Sequence, residues 1–303
     1  MAKRQLRRDI VLGLVSVAAG ALLARHWLAP EPRPAVPVGP QVPHVEEPQP
    51  PAAPPHAEAL PPAEKPAWQR YAALPEARPR EPMVAIVLDD MGPNRKGTER
   101  ALALPAAITF SFLPYAPHVA DLVRTARSQG HEILVHVPME PMGAANPGPH
   151  ALGTNETPDD IRTILEWNLS QFDGYVGINN HMGSRFTADA GDMALVMKVL
   201  KARGLMFLDS RTTAETEGAH AAEAAGVPSL SRNVFLDHDE EGAEVTAELG
   251  KLEKLAREHG YAVAIGHPHA ETLDILEKWI PEAKARGISI VPLTAILRRH
   301  EAS

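Results

Sequence analysis

The chain has 303 residues, a formal charge of −8 and no cysteine, which excludes disulfide scaffolds, thiolate zinc sites and cysteine nucleophiles together. Of its 30 prolines, 17 fall between Pro30 and Pro82, so the 221 residues from Met83 to Ser303 carry the foldable part. Beyond the first 25 residues, 25 basic side chains face 37 acidic ones, a net −12, which argues against nucleic acid as a partner because its recognition needs a basic footprint.

Lys3, Arg4, Arg7 and Arg8 precede an uninterrupted apolar run, Ile10 to Ala24, that continues past Arg25 and His26 to Ala29. The 15 residues of that run fall short of the ~20 that span a bilayer as a helix. Arg25 can snorkel, however, and Trp27 can sit at the interface. The one small-x-small cleavage candidate, Ala19-Gly20-Ala21, lies inside the run and is poorly placed. Residues 1–29 are therefore expected to be an uncleaved signal-anchor. Its basic flank keeps the N-terminus in the cytoplasm and puts the main domain in the periplasm, or otherwise outside the cytoplasm. Residues 30–82 are expected to be a disordered Pro-rich linker, since proline fixes φ and removes a donor. Where polyproline-like, such a spacer reaches ~3 Å per residue.

From Met83 onward, short apolar runs alternate with helical patterns. Strands are expected at Val84–Leu88, Ile108–Phe112, Glu132–Val137, Tyr175–Ile178, Leu205–Leu208, Asn233–Leu236, Tyr261–Ile265 and Ile288–Val291. Several are apolar on both faces, as parallel strands covered by helices are. Thr157-Pro158-Asp159-Asp160 reads as a helix start, with an N-cap, a first-turn proline and acidic residues facing the dipole. Gly130, Gly204, Gly226, Gly260 and Gly287 each stand where a helix should end in a left-handed cap. Seven or eight such units in residues 83–303 predict an α/β fold, a (β/α) barrel, with an open doubly wound sheet as the runner-up.

In parallel α/β architectures chemistry gathers at the carboxyl ends of strands. Here those ends read Leu88-Asp89-Asp90-Met91-Gly92, His136-Val137-Pro138-Met139-Glu140, Asn179-Asn180-His181-Met182-Gly183-Ser184, Asp209-Ser210-Arg211-Thr212 and Gly266-His267-Pro268-His269. Taken singly each has a plain explanation: an aspartate capping the next helix, asparagines in a turn, a core histidine. Together they would meet in one barrel mouth. His131-Glu132-Ile133-Leu134-Val135-His136 is not a zincin helix, because its histidines are five apart in a β-branched segment and that motif needs four on a helix. A Gly-x-Ser-x-Gly elbow and a Gly-rich phosphate loop are both missing. Asp and His from separate strand ends match a catalytic zinc site with three protein ligands and an open position. Asp89 and Asp90 would face opposite ways on a regular strand, but a turn at the strand end can aim both inward, one to bind metal and one to act as base.

These same motifs, with Thr109-Phe110-Ser111-Phe112-Leu113-Pro114, resemble the divergent branch of the polysaccharide deacetylases, carbohydrate esterases with a distorted (β/α) barrel. The resemblance covers nearly all of residues 83–303. It implies Asp89 as catalytic base, Asp90 and His136 as metal ligands, and His267 as general acid. The main family has a second histidine four residues after the first, where this chain has Glu140. Either Glu140 substitutes or His181 enters from the next strand, and His181 is favoured because imidazole suits Zn²⁺. Arg211 is assigned to orienting Asp89 or neutralising the oxyanion, and Asp209 to orienting His267. Asn180, His269 and Glu140 are placed with the substrate. The implied activity is metal-dependent hydrolysis of acetyl groups on an envelope polysaccharide, with Zn²⁺ or another divalent transition metal. The alternative is a non-catalytic envelope factor that binds glycan or protein around a structural metal, so a protein partner stays open.

Overall fold

The computed structural model describes residues 65–73, 81–105, 107–238 and 242–301. The expected signal-anchor (1–29) and most of the expected linker lie outside the described residues. Among those described, no helix is long and apolar enough to cross a membrane.

Nine parallel strands form one sheet: β1 (Met83–Met91), β2 (Thr109–Phe112), β3 (Glu132–Met139), β4 (Gly177–Met182), β5 (Met206–Asp209), β6 (Ser229–Ser231), β7 (Val234–Phe235), β8 (Tyr261–Gly266) and β9 (Ser289–Ile290). Eight run in the order β6-β5-β4-β3-β2-β1-β8-β7, and β9 pairs with β1. β8 takes one edge of β1 along Met83–Leu88. The other edge is shared, with β9 pairing Met83 and Val84 and β2 pairing only from Val87 onward. The end strands β6 and β7 are not paired with each other. The result is a distorted, incomplete (β/α) barrel with an open seam, rather than a flat doubly wound sheet. All eight expected strands are present, and β6 is an addition.

Alternation along the strands makes two cores. Val84, Ile86 and Leu88 of β1, with Ile133, Val135 and Val137 of β3, pack outward against the helices. Met83, Ala85 and Val87 pack inward with Leu134, Met206, Leu208, Val263 and Ile265. Continuing each inward column one step toward the carboxyl end reaches Asp89, His136, Ser210 and His267. The site is thus the polar top layer of the barrel interior.

The helices follow their punctuation. They are α1 (Ala67–Arg70), α2 (Arg95–Ala101), α3 (Val119–Ser128), α4 (Pro158–Leu169), α5 (Ala190–Arg203), α6 (Gly218–Ala225), α7 (Gly242–His259), α8 (Ala270–Ala285) and α9 (Leu293–Glu301). At α4, Thr157 and Asp160 form a reciprocal capping box with Pro158 in the first turn. The five cap glycines all have positive φ.

One expectation is corrected at the barrel floor. Residues 65–73 fall within the stretch 30–82 read as linker, yet α1 forms there and Trp68 is buried. Trp68 packs in the inner core with Leu293, Ile296 and Leu297 of α9, and its backbone N–H donates to Gly204 O at 3.0 Å. Proline density misled here because it describes local backbone preference, whereas a buried indole supplies tertiary stabilisation. Below this layer Glu132, fully buried at the start of β3, accepts from Thr294 N (3.0 Å), Thr294 Oγ1, Thr109 Oγ1 (3.4 Å) and Ala73 N (3.3 Å).

Candidate metal centre and active site

The end of β1 departs from regular strand geometry. Its pairing with β2 shifts register between Leu88 and Met91, and Asp90 has φ +53°, a left-handed conformation that costs a non-glycine residue on the order of 1 kcal/mol or more. Gly92 follows at φ +119°, where a Cβ would come 2.4 Å from Ala116 Cβ. The bulge turns both aspartates toward His136. Its Nε2 lies 3.6 Å from Asp89 Oδ2 and 3.3 Å from Asp90 Oδ1. From β4, His181 Nδ1 comes within 2.9 Å of Asp90 Oδ1 and 3.3 Å of His136 Nε2. Asp90, His136 and His181 can thus hold one metal ion.

A second trio, Asp237, His267 and His269, also has its ligand atoms within 4.8 Å of one another. Hydrogen bonding separates the two. Asp90 Oδ1 is buried and, among the described residues, meets only the two imidazole nitrogens, as an oxygen meant for a cation shared with them would. Both Asp237 oxygens are engaged instead: Oδ1 with His267 Nδ1 at 2.9 Å, Oδ2 with His267 N at 2.7 Å and Thr272 Oγ1 at 2.9 Å. The first trio, with one carboxylate and two imidazoles, fits a divalent transition metal.

Electrostatics sort the carboxylates into different states. Burial pushes Asp89 above its ordinary value, against the nearby His136 and His267 charges. Burial would raise Asp90 too, but the imidazoles of His136 and His181 hold it well below the carboxylate range. His136 would be lowered by burial and is raised by the charges of Asp89 and Asp90. Burial also acts against charged His267, yet Asp237, with Asp89 and Asp90 behind it, lifts it to about 9.

The remaining sequence-derived residues divide. Glu140 does not join the metal trio. Its Oε2 accepts from Thr154 N and Oγ1, both at 2.8 Å, and its Oε1 meets Arg185 Nε at 3.1 Å. Asn180 is buried, bonding Met182 O and accepting from Ser210 N at 2.9 Å, so it ties the ends of β4 and β5 together instead of facing substrate. The orientation of His267 belongs to Asp237 and not to Asp209, whose oxygens accept from Arg211 N and Thr216 Oγ1 within its own loop. Arg211, at φ +50°, has an exposed side chain with no ion pair among the described residues. Arg232 braces that loop, donating to Ser210 O at 2.7 Å and Arg211 O at 2.9 Å. His269 heads α8 with its ring 5.6 Å from that of His267. Two residues that touch the site were not singled out: Asp237, and Asn179, which contacts both Asp89 and His136.

The model of the divergent polysaccharide deacetylases matches residues 86–297, which include every residue of the site. The chain belongs to the divergent polysaccharide deacetylase family. The chain is also similar to the uncharacterised protein YibQ of Escherichia coli K12, 36% identical over 197 residues, and to an uncharacterised protein of Haemophilus influenzae Rd, 37% identical over 196 residues. These alignments take in 65% and 64% of this chain, and they span 62% and 69% of the relatives' own lengths. Among solved structures, an uncharacterised protein of Agrobacterium tumefaciens C58 superposes with a TM-score of 0.74 at 31% identity, covering 76% of this chain and 94% of its own.

Proposed function

We propose that the chain is a metal-dependent hydrolase that removes acetyl groups from a carbohydrate polymer of the cell envelope. The observation that carries this reading is the meeting of one buried Asp90 oxygen with two imidazole nitrogens, beside a separate buried carboxylate and a separate cationic histidine.

Asp90, His136 and His181 would hold the ion, Zn²⁺ by the chemistry of the donors. Such a cation polarises a carbonyl oxygen and acidifies water. Asp89 stands next to the trio with its proton affinity increased by burial, which suits a group that takes a proton from water. His267 has its Nδ1 committed to Asp237, leaving Nε2 to deliver a proton to the departing amine or alcohol. Two ionisable groups with separated proton affinities define the base and the acid. Glu140, the residue that suggested altered ligation, is held by Thr154 and Arg185 and so gives no reason to expect a lost metal.

Residues 1–29 as a membrane anchor and a periplasmic or extracytoplasmic location complete the proposal, supported by the charge and hydropathy of the N-terminal sequence. The test is Asp89→Asn, assayed as acetate release from acetylated chitooligosaccharides and cell-wall glycan by metal-loaded protein. The substitution should lower turnover at least 100-fold while metal content is retained, by the usual weight of a general base. Turnover equal to wild type would overturn the assigned base, and no acetate release by the wild type on any acetylated glycan would overturn the activity.

A further inference from the structure

Asn179 sits at the centre of the site, buried, with both halves of its amide occupied. Its Nδ2 donates to Asp89 Oδ1 at 2.9 Å, Asp89 Oδ2 at 3.0 Å and Ser210 Oγ at 3.2 Å. Its Oδ1 accepts from Ser111 Oγ at 2.5 Å and lies 2.8 Å from His136 Nδ1. Hydroxyls donate or accept, so Ser111 and Ser210 do not fix which way the amide points. Asp89 does: two carboxylate oxygens only accept, so the NH₂ must face them. The carbonyl is then turned to His136, and Nδ1 there must carry a hydrogen. Nε2, 3.3 Å from both Asp90 Oδ1 and His181 Nδ1, is then the nitrogen a metal would take.

We infer that Asn179 is the positioning residue of this centre, its carbonyl half selecting the His136 tautomer that ligates metal and its amino half holding Asp89 in the pose of a base. The inference rests on the proposed metal-dependent hydrolysis. It adds a division of labour within one side chain, set by the pairing of β4 between β3 and β5, which aligns Asn179 with His136 on one side and Leu208 on the other. Outer partners of a ligating histidine orient the ring and raise its basicity, and their loss usually costs about 10–100-fold in metal affinity.

Two variants separate the halves. Asn179→Ala removes both: zinc affinity, measured by chelator competition, should fall about 10–100-fold, and ¹⁵N NMR of the zinc-loaded protein should no longer show His136 as a single form protonated at Nδ1 and ligated through Nε2. Asn179→Asp keeps an acceptor for Nδ1 and removes the donor to Asp89. It should bind zinc within a few-fold of wild type, keep the His136 signature, and lower kcat at least 100-fold with KM little changed, on the usual scale for a base. Unchanged affinity and His136 signals in Asn179→Ala would overturn the carbonyl half, and wild-type kcat in Asn179→Asp would overturn the amino half. If wild-type protein released no acetate, the hydrolase reading would fail, while the affinity and NMR measurements would still decide the tautomer. Thermal unfolding of both variants identifies a merely unfolded protein, and Asn179→Gln then serves as the folded substitute, with the same affinity loss expected because its longer amide cannot reach both partners in register.

Discussion

Replacing Asp237 by Asn takes one charge from beneath His267 and almost no volume. The carboxylate meets Nδ1 at 2.9 Å and the His267 backbone N–H at 2.7 Å, so the amide retains shape, loses the ion pair and keeps one acceptor oxygen where the carboxylate has two. With Asp237 present, His267 titrates at about 9 against an ordinary 6.5. Without it, burial opposes the cation with only Asp89 and Asp90 remaining, and the value should fall to about 6.5 or below. A drop of ~2.5 units corresponds to about 3 kcal/mol at 1.36 kcal/mol per unit. The protonated ring is the form that donates, so activity exists below this pKa and disappears above it. The descending limb of the pH–rate profile should therefore move to lower pH by about 2.5 units, and turnover at pH 8 should fall roughly 30-fold from the protonated fraction alone. Folding responds with the same sign. The folded-state pKa lies above the unfolded one, so stabilisation is complete below pH 6.5 and is lost as pH rises through about 9. Urea denaturation should show the wild type losing up to about 3 kcal/mol across that window and Asp237→Asn losing little. NMR titration of the His267 ring in metal-free protein checks the cause directly. An unchanged His267 titration in the variant would refute the reasoning.

Two further outcomes follow from contacts outside that dyad. His181→Ala should lower zinc affinity by at least 100-fold, on the scale of a lost ligand or more than a lost outer partner, whereas Glu140→Gln should leave it within about two-fold; equal losses in chelator competition would return Glu140 to the ligand set. Trp68→Ala should destabilise the folded domain by about 3–5 kcal/mol, the usual range for a large aromatic removed from a core, and chemical denaturation of protein retaining residues 65–73 would measure it; a loss below 1 kcal/mol would mean that the floor does not depend on α1.

Much of the site was legible because barrel geometry supplies a rule: polar residues just past an apolar strand face a common mouth. That rule located Asp89, Asp90, His136, His181 and His267 without coordinates. Asn179 escaped because β4 was expected to stop at Ile178, while its backbone pairing with β3 runs on to Met182. A strand tail of Asn-Asn-His looks like a turn, and only the period of two, counted back from His181, separates Asn179 inside from Asn180 outside. Asp237 followed an expected strand and satisfied the same rule, yet a short β7 drew no attention to it. Asp209 was paired with His267 by class of residue alone. Which carboxylate reaches which imidazole depends on strand order, and β7 lies beside β8 while β5 lies across the sheet. The floor was least legible. Glu132 gathers donors from residues 59 and 162 positions away, and no local pattern encodes such separation.

Because Trp68, Leu293, Ile296 and Leu297 share the inner core with the first residues of β1, the barrel's lower opening is sealed by two segments more than 200 residues apart. A growing polypeptide can lay down β1 through β8 and still leave that opening wet, since α9 comes last. The floor therefore closes only after every strand has been made, because α9 follows all nine strands in chain order.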